Sequence, residues 1–128
     1  MAESSASLHE DASRLTPETI ERHRAIVSIM EELEAVDWYD QRVDAATDEE
    51  LRAILAHNRD EEKEHAAMVL EWLRRRDPAL DEQLRTYLFT DRPILEVEEG
   101  AEHGDAEPGE APPGDGSLGI GSLREEAS

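Results

Sequence analysis

A carboxylate and an imidazole stand in the middle of an otherwise apolar helical stripe, and this feature restricts the fold most strongly. Seven positions recur in steps of three and four, which places them on one helix face: Leu51, Leu55, Asn58, Glu62, His65, Val69 and Trp72. Such a face packs against another helix, where an ionised carboxylate without a partner is costly. Because Glu and His three residues apart point the same way, one divalent metal ion shared by both is the simplest neutralising partner.

An earlier segment repeats this arrangement. Thr16 and Pro17 form a helix start, with Thr16 as the N-cap and Pro17 at the first helical position, and the helix is expected to reach about Asp44. Its apolar stripe consists of Ala25, Ile29, Glu32, Val36 and Tyr39. Glu32 therefore stands at the centre of the first stripe, as Glu62 does in the second.

The two segments are predicted to form a helical hairpin. A capping box precedes the second helix, with Thr47 as the N-cap and Glu50 reaching back to it, and this helix is expected to run to about Arg76. A link of only a few residues between two long helices forces an antiparallel arrangement. A short third helix is expected over residues 78–89, with Pro93 ending it.

Composition divides the chain into four regions. Residues 1–15 lack periodicity and are predicted to be a disordered N-terminus, and residues 16–95 to be the helical hairpin domain. Residues 96–116 are rich in Gly, Pro and Glu, which is typical of an acidic disordered linker. Residues 117–128 contain the apolar patch of the tail.

The overall charge limits the partners of the protein. A formal charge of −20 argues against binding to nucleic acid or an anionic membrane and favours cations. The absence of cysteine excludes disulfides and thiolate metal sites. No segment approaches the ~20 consecutive apolar residues of a membrane span, and no secretory signal is apparent, so we expect a soluble, cytoplasmic protein.

One hairpin supplies half of the ligands of a known type of metal site. Two helices cannot enclose a core, so a second hairpin is expected to pair with the first about a two-fold axis. Each copy would then contribute Glu32 and the Glu62–His65 pair, which together make the ligand set of a ferritin-like di-iron four-helix bundle. Carboxylate and imidazole suit iron or manganese, although zinc could compete. The alternative is a buried network of carboxylates and arginines.

Other side chains near these ligands are candidates for supporting roles. Tyr39 lies one heptad after Glu32, so its hydroxyl could reach a metal pocket or could instead pack at an interface. Glu31 and Glu34 are like charges three residues apart, which favours either a bridging cation or a solvated face. A further potential metal face on the second helix consists of His57, Glu61 and Glu64.

Two stretches of the hairpin strongly resemble the bacterial encapsulated ferritins. They are residues 26–42, IVSIMEELEAVDWYDQR, and residues 54–68, ILAHNRDEEKEHAAM. The resemblance covers about residues 17–95 and shows no departure at a motif position. Residues 117–123, SLGIGSL, look like the cargo-loading peptide by which such proteins dock inside encapsulin shells, so the resemblance implies that residues 117–128 are a targeting peptide.

The resemblance implies a ferroxidase that oxidises Fe(II) to Fe(III) at a di-iron centre between two subunits. By resemblance, Glu32, Glu62 and His65 would be the iron ligands, and Tyr39 would be a neighbouring residue of the pocket. The family forms an annular decamer rather than a closed cage. Its iron is mineralised in the lumen of an encapsulin nanocompartment, which places the protein inside that shell in the bacterial cytoplasm.

The same resemblance implies three accessory sites. A metal access site would consist of Glu31 and Glu34, with Trp38 close to the path. A peripheral metal site would consist of His57, Glu61 and Glu64. The peptide that docks with the shell would consist of Leu118, Gly119, Ile120, Gly121, Ser122 and Leu123.

Two other functions remain open from the sequence. One is a non-catalytic helical scaffold in which a metal ion only holds the dimer together. The other is a different di-metal oxidase or peroxidase that resembles the rubrerythrins. The missing cysteines exclude an iron–thiolate centre of the rubredoxin type in this chain and so weigh against the second alternative.

Overall fold

The structure is a computed structural model that describes residues 7–102, and this part of the chain is all-helical. Its four α-helices are α1 (Pro17–Ala45), α2 (Glu49–Arg75), α3 (Pro78–Tyr87) and α4 (Ile94–Glu102). The predicted all-α fold with a helical hairpin is confirmed. None of the helices described is both long and apolar enough to span a membrane.

Side-chain caps set where the two long helices begin. Thr16 Oγ1 accepts a hydrogen bond from the Thr19 backbone N–H at 3.1 Å, which confirms the predicted start of α1. At α2 the predicted N-cap, Thr47, is wrong by one residue. Asp48 adopts an extended backbone there, and its carboxylate accepts from the Leu51 N–H at 2.9 Å. A carboxylate at this position also favours the positive end of the helix dipole.

Helices α1 and α2 form an antiparallel hairpin joined by residues 46–48. Close to this connection, Arg52 Nε donates to the Val43 carbonyl oxygen at 3.0 Å. Farther along, the Arg59 guanidinium binds Asp40 at 3.0 Å. The positions on α1 fall in number as those on α2 rise, as an antiparallel pair requires.

The hairpin buries few apolar side chains by itself. Ala25, Ala66 and Leu73 are its buried hydrophobic residues, and two of these are alanines. Larger apolar side chains on the long helices remain about half exposed, including Ile26, Leu33, Trp38, Ile54 and Met68. A single copy therefore leaves much of its apolar surface in contact with water, which is unfavourable.

Residues 77–102 form a second compact unit made of α3 and α4. Asp77 caps α3 by accepting from the Leu80 N–H at 3.0 Å, as the Asp–Pro start predicts. Helix α4 was not predicted, and the expectation of a linker from residue 96 is wrong for residues 96–102. Val97 is buried, and the Pro93 carbonyl oxygen accepts hydrogen bonds at the beginning of this helix. Pro93 therefore precedes a helix rather than only ending one.

The N-terminal segment also carries more structure than predicted. Residues 12–14 form one turn of 3-10 helix, and the Asp11 carboxylate accepts from the Ser13 N–H at 2.9 Å. The prediction of disorder over residues 1–15 is therefore wrong for this turn, because a local cap stabilises it without apolar periodicity. The predicted targeting residues 117–128 and most of the predicted linker lie outside the described residues.

Candidate metal centre

One cluster of potential metal ligands lies between the two helices of the hairpin. Glu32 projects from the middle of α1, and Glu62 and His65 project from one face of α2, three residues apart. Each of the three offers one ligand atom, and these atoms all lie within 4.8 Å of one another. The three residues that the sequence places at the centres of the apolar stripes are thus brought together.

The imidazole of His65 lies close to both carboxylates. Its Nδ1 atom is 3.3 Å from Glu62 Oε1 on the same helix and 3.6 Å from Glu32 Oε1 on the other. Two atoms that each lie about 2.1 Å from one ion are about 3.0–3.4 Å apart at octahedral or tetrahedral angles, which is close to both of these distances. The observed spacing therefore fits ligands of a shared metal ion, and the carboxylate and imidazole donors suit iron, manganese or zinc.

The two carboxyl groups influence each other's pKa in opposite directions. A hydrogen bond with Glu62, followed by burial and the negative charge of Glu62, raises the pKa of Glu32 above its ordinary value. The same hydrogen bond, seen from its accepting side, lowers the pKa of Glu62. A divalent cation bound here would replace that proton, since it satisfies both carboxylates at once.

The cluster is open on one side in a single chain. The side chains of Glu32, Glu62 and His65 are 27%, 25% and 43% exposed. The open side leaves room for additional ligands from outside this chain.

The other predicted site residues are not part of this cluster. Tyr39 is half-buried, and the Arg42 guanidinium lies 5.3 Å from the centre of its ring. Glu31 and Glu34 are both exposed on α1. On α2, His57 Nε2 pairs with Glu61 Oε2 at 3.2 Å on the surface.

Glu64 is placed in a different environment from His57 and Glu61. It contributes to a cavity of about 530 Å³ whose lining residues are Glu64, Ala67, Met68, Glu71, Trp72, Arg75 and Arg76. In the part of the chain that the structure describes, the predicted peripheral trio does not form a three-residue metal cluster.

Arg59 is a neighbour of the cluster that the sequence analysis missed. It lies three residues before Glu62, so it shares that side of α2 and reaches across to Asp40 on α1. The signal available in the sequence was this spacing from Glu62. An acidic partner on the facing helix becomes apparent only once the register of the hairpin is known.

Comparison with known proteins identifies the family of this chain. The sequence profile of the EncFtn-like family matches residues 7–91, which include the whole hairpin and α3. The chain belongs to the EncFtn-like family. The match begins at the N-terminal 3-10 turn and contains all three residues of the metal cluster.

Individual proteins are also similar to this EncFtn-like chain in sequence or in fold. The encapsulated ferritin-like protein of Rhodospirillum rubrum is 69% identical over 105 residues, which are 82% of this chain and 75% of the relative. The crystal structure of protein ne0167 from Nitrosomonas europaea superposes with a TM-score of 0.67 at 64% identity, covering 69% of this chain and 97% of that one. The encapsulin nanocompartment cargo protein EncC of Myxococcus xanthus is 44% identical over 52 residues, or 41% of this chain and 40% of EncC.

Proposed function

We propose that this chain is a ferroxidase that oxidises Fe(II) to Fe(III), with dioxygen as the electron acceptor, at a di-iron centre formed by two copies of the hairpin. The observation that carries this proposal is the convergence of Glu32, Glu62 and His65 from two helices, with ligand atoms within 4.8 Å of one another. Membership of a family whose relative is named an encapsulated ferritin-like protein supports iron as the substrate.

A second copy of the chain would complete the site. One hairpin supplies three ligands on an open face, and di-iron carboxylate bundles use four carboxylates and two histidines. Two copies related by a two-fold axis supply that number, and four carboxylates balance the charge of two ferrous ions. The half-exposed apolar side chains of the long helices, such as Leu33 and Ile54, give such a pairing its hydrophobic driving force.

Each residue of the cluster has a defined task in this proposal. Glu32 and Glu62 bind the iron as anions, and negative ligands stabilise Fe(III) more than Fe(II), which favours loss of the electron. His65 supplies a neutral nitrogen ligand through Nδ1, the ring atom that lies near both carboxylates. Half-buried Tyr39 is proposed as a residue of the surrounding pocket.

Surface acids are proposed to bring iron to the centre. Glu31 and Glu34 are exposed on the helix that carries Glu32, and they are assigned to a metal access site. The pair His57–Glu61, together with Glu64, is assigned to a peripheral metal site. The charge of −20 on the chain attracts cations toward all of these positions.

The place of action is proposed to be the lumen of an encapsulin nanocompartment. Two relatives carry the words encapsulated and encapsulin nanocompartment cargo in their names. The residues assigned to binding the shell protein are Leu118, Gly119, Ile120, Gly121, Ser122 and Leu123. The assembly is proposed to be an annular decamer of five dimers, located with its shell in the bacterial cytoplasm.

The proposal is tested by adding Fe(II) to the metal-free, full-length protein while oxygen consumption and ferric absorbance are followed. We expect Glu32→Ala, Glu62→Ala and His65→Ala each to abolish the protein-dependent oxidation. Glu82→Ala and His23→Ala are matched controls that should retain it, because they lie outside the cluster. Near-wild-type rates in all three cluster variants would end the assignment. Metal binding without oxygen consumption would instead support a metal-stabilised scaffold.

A further inference from the structure

Arg59 connects the two helices of the hairpin close to the metal cluster. Its Nη1 atom lies 3.0 Å from Asp40 Oδ1 on α1, and its Nε atom lies 3.2 Å from Oδ1 of the adjacent Asp60. The Arg59 side chain is 24% exposed, whereas the arginines of the pairs within α1 and α3, Arg24 and Arg85, are 67% and 66% exposed. Arg59 is partly withdrawn from water, whereas its partner Asp40 is 56% exposed, so the pair is shielded from solvent on the arginine side only.

The position of Arg59 on α2 ties it to the orientation of a ligand. Three residues along an α-helix correspond to about 4.5 Å of rise and to directions about 60° apart. A side chain that is held toward α1 at position 59 therefore holds Glu62 toward α1 as well. Asp60 fixes the guanidinium from the other side, and Arg59 lowers the pKa of that carboxyl.

Few other side-chain contacts among the described residues fix the rotation of α2 relative to α1 near the cluster. The buried residues Ala25 and Ala66 are small and offer few protruding groups that would interlock. The hydrogen bond from Arg52 to Val43 lies next to the connection, where residues 46–48 already constrain both helices. Among the hydrogen bonds and ion pairs that join the two helices in the described residues, the Arg59–Asp40 pair lies between this connection and the cluster.

The cluster would not tolerate rotation of α2. Side chains extend about 5–6 Å from the helix axis, so a rotation of about 20° displaces a ligand atom by about 2 Å. The ligand atoms of His65 and Glu32 are 3.6 Å apart, and a shift of that size removes the geometry that a shared ion requires.

We infer that Arg59 is a positioning residue, whose pair with Asp40 fixes the rotation of α2 and so holds Glu62 and His65 opposite Glu32. This inference rests on the proposed metal site, and it adds a role for two residues that do not touch the metal. The link preorganises the ligands, so less binding free energy is lost in ordering them.

The test measures the affinity of the metal-free, full-length protein for Co(II) by titration, with the visible absorption of bound Co(II) as the readout. Arg59→Met should weaken binding about tenfold, and Asp40→Ala should do the same. Arg59→Lys keeps the positive charge and should recover most of the affinity. Arg85→Met removes an exposed pair within α3 and should leave binding unchanged.

Two comparisons separate positioning from general stabilisation. Arg52→Met should lower the unfolding temperature by about as much as Arg59→Met, but leave the Co(II) affinity near that of the wild type. The double variant Arg59→Met/Asp40→Ala should bind no more weakly than either single variant, because both remove the same link. Losses that add in the double variant would overturn the inference, as would wild-type affinity in Arg59→Met.

The same titration distinguishes this inference from the proposed function. Glu32→Ala and His65→Ala should lose Co(II) binding. If they do and Arg59→Met does not, only the positioning role is overturned. Wild-type affinity in the cluster variants would overturn both the metal site and the role of Arg59. If Arg59→Met fails to fold by circular dichroism, Asp40→Ala decides the outcome, since it breaks the same link and leaves Arg59 in place.

Discussion

Nδ1 of His65 lies 3.6 Å from Oε1 of Glu32, and this contact joins the two helices at the cluster of potential metal ligands. The 3.3 Å approach of Glu62 to the same nitrogen would arise in any helix, because the two residues are three apart. The contact with Glu32 exists only when the hairpin has closed in one register. The potential metal site is therefore a property of the fold and not of a single helix.

Assembly of two copies is expected to depend on metal. Two hairpins would bring four carboxylates together, and these repel unless a cation or a proton lies between them. We expect the metal-free protein to dissociate and Fe(II) or Co(II) to restore the oligomer, as measured by native mass spectrometry. Glu32→Gln removes half of the repelling charges, so its metal-free form should be more associated than the wild type, whereas Glu82→Gln should change nothing. An intact oligomer of the metal-free wild type would refute this expectation.

The start of α2 gives a prediction that distinguishes Asp48 from Thr47 as the N-cap of this helix. Asp48 accepts the hydrogen bond from the Leu51 N–H, so Asp48→Ala should lower the free energy of unfolding by about 1 kcal/mol. Thr47→Ala should have a much smaller effect, because Thr47 lies outside the helix. Thermal unfolding followed by circular dichroism measures both. A larger loss in Thr47→Ala than in Asp48→Ala would contradict the observed cap.

This cap also shows what the sequence could and could not predict. Thr16–Pro17 is an unambiguous helix start, because each residue has one favourable position there, and the structure agrees. Thr47 and Asp48 are both good caps, so the choice between them depends on how the chain leaves α1. That geometry is not encoded in the local pattern.

The residues of the site also divide into those that the local sequence pattern predicts and those that it does not. Glu32, Glu62 and His65 were predictable because each interrupts an apolar stripe of helical period. The pair Arg59–Asp40 was not, because its partners lie on different helices and meet only in one register of the hairpin. Helix α4 was missed because a few apolar residues near Val97 were averaged with the acidic residues that follow them.

Stability at acidic pH should depend on Glu71. Its Oε2 atom lies 2.7 Å from Arg74 Nη2 and 2.7 Å from Arg75 Nε, and the hydrogen bond from Arg74 is the main cause that lowers the pKa of Glu71 to about 2. A lowered pKa in the folded state stabilises the fold above the unfolded value of 4.5, and this stabilisation is lost as the pH falls from 4.5 toward about 2.

The comparison that checks this is the difference in unfolding temperature between the wild type and Glu71→Gln across that pH range. The difference should be constant above about pH 5 and should shrink steadily below it. The side chain is 42% exposed, so solvent screening keeps its contribution below about 1 kcal/mol. Gln83→Ala, which removes no ionisable group from the exposed surface of α3, should show no such pH-dependent difference. A difference that grew toward low pH would contradict the assigned sign.

Loading into the shell should be separable from iron oxidation. The metal cluster lies within the hairpin, whereas the residues assigned to docking, 118–123, lie outside the described residues. Deletion of residues 117–128 should leave oxidation of Fe(II) at the wild-type rate, but abolish co-purification with a co-expressed encapsulin shell. A full-length variant in which Leu118, Ile120 and Leu123 are replaced by Ser should behave in the same way, since apolar contacts drive such docking.

A matched control is the variant Glu125→Ala/Glu126→Ala, which changes the same tail without altering its apolar residues and should load normally. If the deletion variant still entered the shell, the docking signal would lie elsewhere in the chain. If it lost iron oxidation, the tail would contribute to the metal site. Only loss of loading with full oxidation agrees with separate catalytic and docking segments, because a tail that acts solely as an anchor changes where the reaction occurs and not its rate.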